Sequence, residues 1–117
     1  MSVVVPPGSM GFEVKLEYSI LAFLYALCPV YVDINGTKMK ATWGVQFFPA
    51  VPGRYNITCY THYLLTPQTG KNSVEADLYP GQVVRITWRA PQIVFFKGPI
   101  RWEVIAGPNT GQSFTGP

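Results

Sequence analysis

The sequence predicts an all-β protein, an antiparallel β-sandwich of about 7–9 strands. Three observations predict it. A Pro-Gly turn that launches an alternating strand occurs twice, as Val51-Pro52-Gly53-Arg54-Tyr55-Asn56-Ile57-Thr58 and as Tyr79-Pro80-Gly81-Gln82-Val83-Val84-Arg85-Ile86-Thr87. Pro presets its own φ, Gly accepts a positive φ, and the chain leaves extended. Asn35-Gly36 stands between two strand-like runs, the signal of a type I′ hairpin. The remaining strand candidates are short and closely spaced, with turn residues between them. An up-and-down barrel needs an even strand count that the pattern does not show, so the sandwich is preferred.

The elements follow in order. Phe12 to Tyr18 alternates, with Phe12, Val14, Leu16 and Tyr18 on one face and Glu13, Lys15 and Glu17 on the other. Ile20 to Cys28 is apolar on every face. Nine residues are too few for a membrane-spanning helix, which needs about 20. A buried strand, a short buried helix and an apolar lip that meets a membrane or a partner all remain open for it. Val30 to Ile34 and Lys38 to Trp43 flank the Asn-Gly turn, and Val45 to Phe48 is a further short strand. After the first Pro-Gly, Tyr55, Ile57, Cys59, Thr61 and Tyr63 share one face, and Asn56, Thr58, Tyr60 and His62 the other. Leu64 to Asn72 reads as the longest interior loop.

Val74, Ala76 and Leu78 alternate with Glu75, Asp77 and Tyr79. Val84, Ile86, Trp88 and Ala90 alternate with Arg85, Thr87 and Arg89. These two runs are expected to form a hairpin about Pro80-Gly81, with Leu78 across from Val84 and Asp77 across from Arg85. Gln92 to Phe96 and Ile100 to Val104 are the last strand candidates. The expected organisation is a loose start over residues 1–10, one domain over 11–105 and a flexible tail over 106–117, whose only aromatic residue is Phe114. Trp43, Ile57, Cys59, Ile86 and Trp88 are expected to share one core.

The totals narrow the function classes. The 117 residues suit one domain with a core that needs no staples. Charged residues make up 13%, about half the usual share of about 25%, so the surface is rich in aromatic and hydroxyl groups or is partly covered. The net charge is +3 and the pI near 9.0. Arg85, Arg89, Lys97 and Arg101 carry the excess, opposed in that third of the chain by Glu103. Nucleic-acid binders cluster Lys and Arg more densely, so no nucleic acid is expected as a partner. Cys28 and Cys59 match no metal or disulfide framework and read as small hydrophobes. The start lacks the basic and long apolar regions of a secretory signal, so the expected location is the cytoplasm, with the inner membrane face as a place of peripheral attachment.

The run from Val30 to Trp88 resembles PEGA-like β-sandwich domains through Val32-Asp33-Ile34-Asn35-Gly36, Pro52-Gly53-Arg54-Tyr55 and Tyr60. The chain is also similar to a family of small actinobacterial proteins. That likeness is carried by Trp43-Gly44, Pro49, Pro52-Gly53-Arg54, Tyr63-Leu64-Leu65, Pro67, Gly70, Pro80-Gly81-Gln82 and Arg89-Ala90-Pro91, with Tyr55 and His62 departing from the family's pattern. The resemblances imply a compact Ig-like or PEGA-like β domain and no particular chemistry.

Catalytic chemistry has little to work with. His62 is the one histidine, and Cys59, three residues before it, falls on the opposite face of the same strand. Glu75 and Asp77 share a face but read as cross-strand charge partners rather than an acid/base pair. No phosphate loop, dinucleotide fingerprint or metal cluster is present, so no cofactor is expected. The expectation is a non-enzymatic binding or structural module that contacts an unidentified protein, a second copy or a membrane surface. Phe23, Leu24 and Tyr25 are its sticky element. The alternative is a carbohydrate or small-ligand module that uses Tyr31, Tyr60 and Tyr79, since aromatic rings stack on sugars and peptides.

Overall fold

A computed structural model describes residues 10–19, 25–63, 66–91 and 97–115. Residues 1–9 of the start expected to be loose over 1–10, the Ile20–Leu24 part of the apolar run and the strand expected at Gln92–Phe96 lie outside them.

Nine strands among the described residues form two sheets. They are β1 (Gly11–Glu17), β2 (Val30–Ile34), β3 (Thr37–Ala41), β4 (Gly44–Pro49), β5 (Gly53–Tyr63), β6 (Thr66–Leu78), β7 (Val83–Arg89), β8 (Ile100–Ala106) and β9 (Ser113–Thr115). One sheet has the order β4-β1-β7-β8-β9 and the other β3-β2-β5-β6. The two layers make a β-sandwich. Every ladder is antiparallel except β1–β7, which is parallel. The long stretch of chain between those two strands leaves room for the crossover that parallel pairing requires.

The turn residues explain the path. Asn35 and Gly36 both have positive φ, 51° and 84°, and Ile34 pairs with Thr37, so β2 and β3 make the expected type I′ hairpin. The two Pro-Gly phrases do something else. Pro52-Gly53 leads from β4 in one sheet to β5 in the other, and Pro80-Gly81 leads from β6 back to β7. At the second, Gln82 N–H donates to Tyr79 C=O at 3.1 Å and Gly81 has φ 80°, which is type II geometry. A type II turn splays its flanking strands instead of matching their twist. The hairpin expected about Pro80-Gly81 is therefore absent. Leu78 pairs with Gly53 and Asp77 with Arg54, whereas Arg85 pairs with Glu13 and Glu103.

Strand parity otherwise sets the core. Phe12, Val14, Leu16, Val84, Ile86, Trp88, Ile100 and Val104 from one sheet meet Val30, Val32, Ile57, Cys59, Val74, Ala76 and Leu78 from the other. Trp43 packs against this core from its border, stacked on Trp88 at 6.1 Å. The outer face of the larger sheet is a charge ladder. Arg85 Nε donates to buried Glu13 at 2.8 Å, and Arg89 Nε lies 3.4 Å from Glu17. The basic excess read along the C-terminal third is thus partly matched by acids from β1.

Two further expectations give way. The loop placed at Leu64 to Asn72 is largely strand, because β6 begins at Thr66 and absorbs its polar residues through register shifts opposite Cys59–Tyr63. The tail placed at 106–117 contributes β9, which pairs with β8 through Arg101–Thr115, Trp102–Phe114 and Glu103–Ser113.

Candidate functional site

The four-stranded sheet ends at β6, and the five-stranded sheet runs on past it to β9. A cleft of about 470 Å³ lies along this step. Its floor comes from β8 and β9. Trp102 has the same parity as buried Ile100 and Val104, so it points inward, and its register partner Phe114 lies beside it. Their rings are near parallel at 6.3 Å, and Phe114 is 53% exposed. The Trp102 indole N–H is buried without a hydrogen-bond partner among the described residues. Such a donor has lost its water at a cost of about 1–3 kcal/mol and gains from any acceptor that reaches it.

The opposite wall is β6, with Ser73, Val74, Glu75 and Asp77, and beyond it Arg54 and Asn56 of β5. Arg54 Nε donates to Asp77 Oδ1 at 2.9 Å and its Nη1 lies 4.0 Å from Glu75 Oε2. Two carboxylates thus face one guanidinium, and the wall is acidic on a chain whose net charge is +3. Tyr79, 50% exposed, and buried Gln82 close one end. Gln82 is fixed there because its Nε2 donates to Pro108 C=O at 2.6 Å while its Oε1 accepts from Tyr79 N–H at 2.9 Å. Past Ser73, the other end of β6 is tied to the larger sheet. Trp88 Nε1 and Gly98 N–H both donate to Gly70 C=O, at 3.0 and 2.9 Å, and Asn72 Nδ2 donates to Gly98 C=O at 3.0 Å.

The backbone of β6 along the cleft has one free edge. Asn56 C=O accepts from Asn35 N–H, and Asn56 N–H donates to Asn35 Oδ1, so the Asn56 backbone faces β2. Its neighbours Tyr55 and Ile57 therefore face β6, where they pair with Ala76 and Val74. By alternation the N–H and C=O of Glu75 and Asp77 face away from β5. No strand pairs with that edge among the described residues.

The expected site residues are dispersed. Tyr31 and Tyr60 do come together as register partners on the outer face of the smaller sheet, 5.4 Å apart, with Lys38 Nζ 4.4 Å from the Tyr31 ring. Tyr60 is nonetheless buried, and burial, then Asp33, then Tyr31 push its hydroxyl pKa up. Tyr79 lies apart from them. It follows Leu78, whose partner Gly53 is about 23 Å along β5 from Tyr60 at about 3.3 Å per residue. Phe23 and Leu24 fall outside the described residues. Tyr25 is not a surface contact. It starts a 3-10 turn at residues 25–27, is 3% exposed, and donates from its hydroxyl to Pro91 C=O at 2.6 Å. It packs with Trp43 and Tyr63, and burial is the first cause that raises its pKa. Leu27, two residues on, is 86% exposed.

Cys59 is buried and its thiol pKa is pushed up, chiefly by burial, so it is a poor nucleophile. His62, on the same strand, is exposed. Among the described residues no group of His, Cys, Asp and Glu is placed to hold a metal ion. No helix among them is long and apolar enough to cross a membrane.

Sequence reasoning missed Trp102, Phe114 and Arg54 as site residues. The signal for two of them was present. Ile100, Trp102 and Val104 share a parity, and Phe114 is a lone aromatic in a polar segment. Comparison of the chain with family models, curated proteins and solved structures finds no match, and the reading of the cleft rests on its geometry.

Proposed function

We propose that the protein is a non-enzymatic binding module that engages another protein, and that its binding site is the cleft between β6 and the β8–β9 pair. One observation carries the reading. Trp102 and Phe114 belong to the inner face of a sheet, where neighbours normally cover aromatic rings, yet they line an open cleft with Phe114 half exposed. Uncovered aromatic surface beside a polar rim is the chemistry of a binding site. The acid–base inventory supports a non-catalytic role. The cleft holds Arg54, Glu75 and Asp77, and the first of these is already engaged by the other two.

The alternative is a carbohydrate or small-ligand module, and it too moves to the cleft. Tyr79 stands there with the other rings, whereas Tyr60 is covered. Attachment to a membrane surface rests on Leu27, the most exposed large apolar residue described.

The test presents the purified chain to a random-peptide display library, a glycan array and anionic phospholipid vesicles. The reading expects a ligand whose binding is lost in Phe114→Ser and in Tyr79→Ser at unchanged thermal midpoint, and is retained in Leu27→Ser. Binding that depends on Leu27 and ignores both cleft substitutions would contradict it.

A further inference from the structure

We propose that the cleft binds an extended peptide which adds as a fifth strand to the smaller sheet, with apolar side chains alternating with Lys or Arg. The inference rests on reading the cleft as the binding site and goes on to name what fills it.

The sheets are unequal. The larger sheet has β9 outside β8, and β6, which lies nearest β8, has no strand outside it among the described residues. A strand added to β6 would lie over Phe114 and Trp102, where the missing cover is. Its inward side chains would continue the row of Val74, Ala76 and Leu78 and meet the two rings. Apolar side chains fit there. Its outward side chains would continue the row of Glu75 and Asp77. Those two carboxylates share one Arg54, so a cation on the added strand completes the pairing, and like charges would repel.

The backbone agrees with the side chains. Glu75 and Asp77 turn their N–H and C=O toward the cleft, so a peptide has donors and acceptors to pair with. Ser73 N–H is held by Asn72 Oδ1 at 2.9 Å and Tyr79 is held by Gln82 at both its N–H and its C=O, so the open length runs from Val74 to Leu78, about 17 Å at about 3.3 Å per residue, the span of a short strand. The register of β5 with β6 is regular from Gly53–Leu78 to Cys59–Asn72, and the irregular part lies beyond it, outside the cleft. Bulges are a device that protects edges from pairing, and the edge along the cleft has none. Its charges at Glu75 and Asp77 are the remaining guard, and they select for an oppositely charged partner instead of forbidding one.

The geometry also fixes which peptide amides matter. In a peptide that runs antiparallel to β6, the residues that hydrogen-bond to Glu75 and Asp77 lie directly opposite them, on their side of the sheet, so they are the basic ones. The amides of the apolar residues turn away from β6.

The experiment selects random heptapeptides on phage against the full chain, then measures the best synthetic peptide by tryptophan fluorescence. The expected sequences alternate apolar with Lys or Arg. N-methylation at the basic positions should weaken binding at least about tenfold, and at the apolar positions little. Glu75→Lys and Phe114→Ser should each weaken it at least about tenfold, with Leu27→Ser as the unaffected control. Failure to enrich any peptide, or N-methylation tolerated at every position, would overturn the inference. So would self-association through the cleft without peptide binding. A glycan bound in place of peptide, and lost in Phe114→Ser, would overturn strand addition and leave the cleft as the site. Binding of every kind that ignores Phe114, Tyr79 and Glu75 would overturn both.

Discussion

One strand, β6, has two halves in different surroundings. From Thr69 to Asn72 it is locked to the larger sheet. Thr69, Gly70 and Asn72 are buried there, Gly70 C=O accepts from both Trp88 and Gly98, and Asn72 reaches Gly98 C=O. From Ser73 to Leu78 its inner face still packs on the core through Val74, Ala76 and Leu78, but its edge borders the cleft. The locked half is rich in small and polar residues and irregular in register. The open half alternates cleanly. Where the backbone is satisfied by tertiary bonds the sequence pattern is poor, and where the pattern is good the edge is left free. The contrast teaches that regular alternation reports the face a strand buries and is silent about what lies at its edge.

Substitutions should separate the halves by size of effect. Trp88→Ala removes the largest fully buried side chain and the indole donor to Gly70. It should cost about 3–5 kcal/mol in chemical denaturation, with the locked half failing first. Gly70→Ala comes next. Gly70 has φ 69°, and a Cβ there would stand 2.5 Å from Pro91 Cδ and 3.0 Å from the Trp88 ring. Left-handed strain and overpacking together should cost about 1–3 kcal/mol. A loss under about 0.5 kcal/mol for either would mean that the locked half is not locked.

The alkaline response sharpens the same contrast, because Cys59 lies across from Asn72 at the junction of the halves. Burial holds the folded thiol above its ordinary value. In the unfolded chain it ionises from about pH 8.5 upward, so the unfolded state then holds fewer protons than the folded one. Stability contributed by the neutral thiol is complete below that pH and falls as pH rises through it, by about 1.4 kcal/mol per pH unit for one group. Tyr25 and Tyr60, also raised by burial, join above about pH 10. Cys59→Ala should flatten the first part of the decline in denaturation curves taken at stepped pH. An unchanged slope would show that the thiol is solvated.

The smallest effects belong to the open half. Phe114→Ser and Tyr79→Ser touch half-exposed rings and should move stability by about 0.5 kcal/mol or less while abolishing binding. A large stability loss from either would mean that these rings serve the core.

How much of this the sequence carried follows the same physics. Inward and outward sets on β1, β5 and β7 were legible from alternation, and the Asn35-Gly36 hairpin from its φ requirements. The partners of those strands were not. Glu13 meets Arg85 across a parallel pair distant in sequence, and no local signal encodes that contact. The Pro-Gly phrases were recognised as turns, but a turn that changes sheets looks in sequence like one that makes a hairpin. For Tyr25 the apolar neighbours on all sides left a buried strand, a short buried helix and an apolar lip open, and its burial in the aromatic group with Trp43 and Tyr63 removes the lip at that residue. The cleft itself arises from unequal strand numbers in two sheets, a property of the assembled fold.

The most direct measurement is amide hydrogen exchange along β6, residue by residue, with and without the selected peptide. In the free protein the Val74 and Ala76 amides, which face β5, should exchange slowly, and those of Glu75 and Asp77 should exchange at least about 100-fold faster. Peptide should slow Glu75 and Asp77 and leave Val74 and Ala76 as they were. Equal protection of all four in the free protein, or no change at Glu75 and Asp77 when peptide is bound, would contradict the account of β6 as an open edge that accepts a strand.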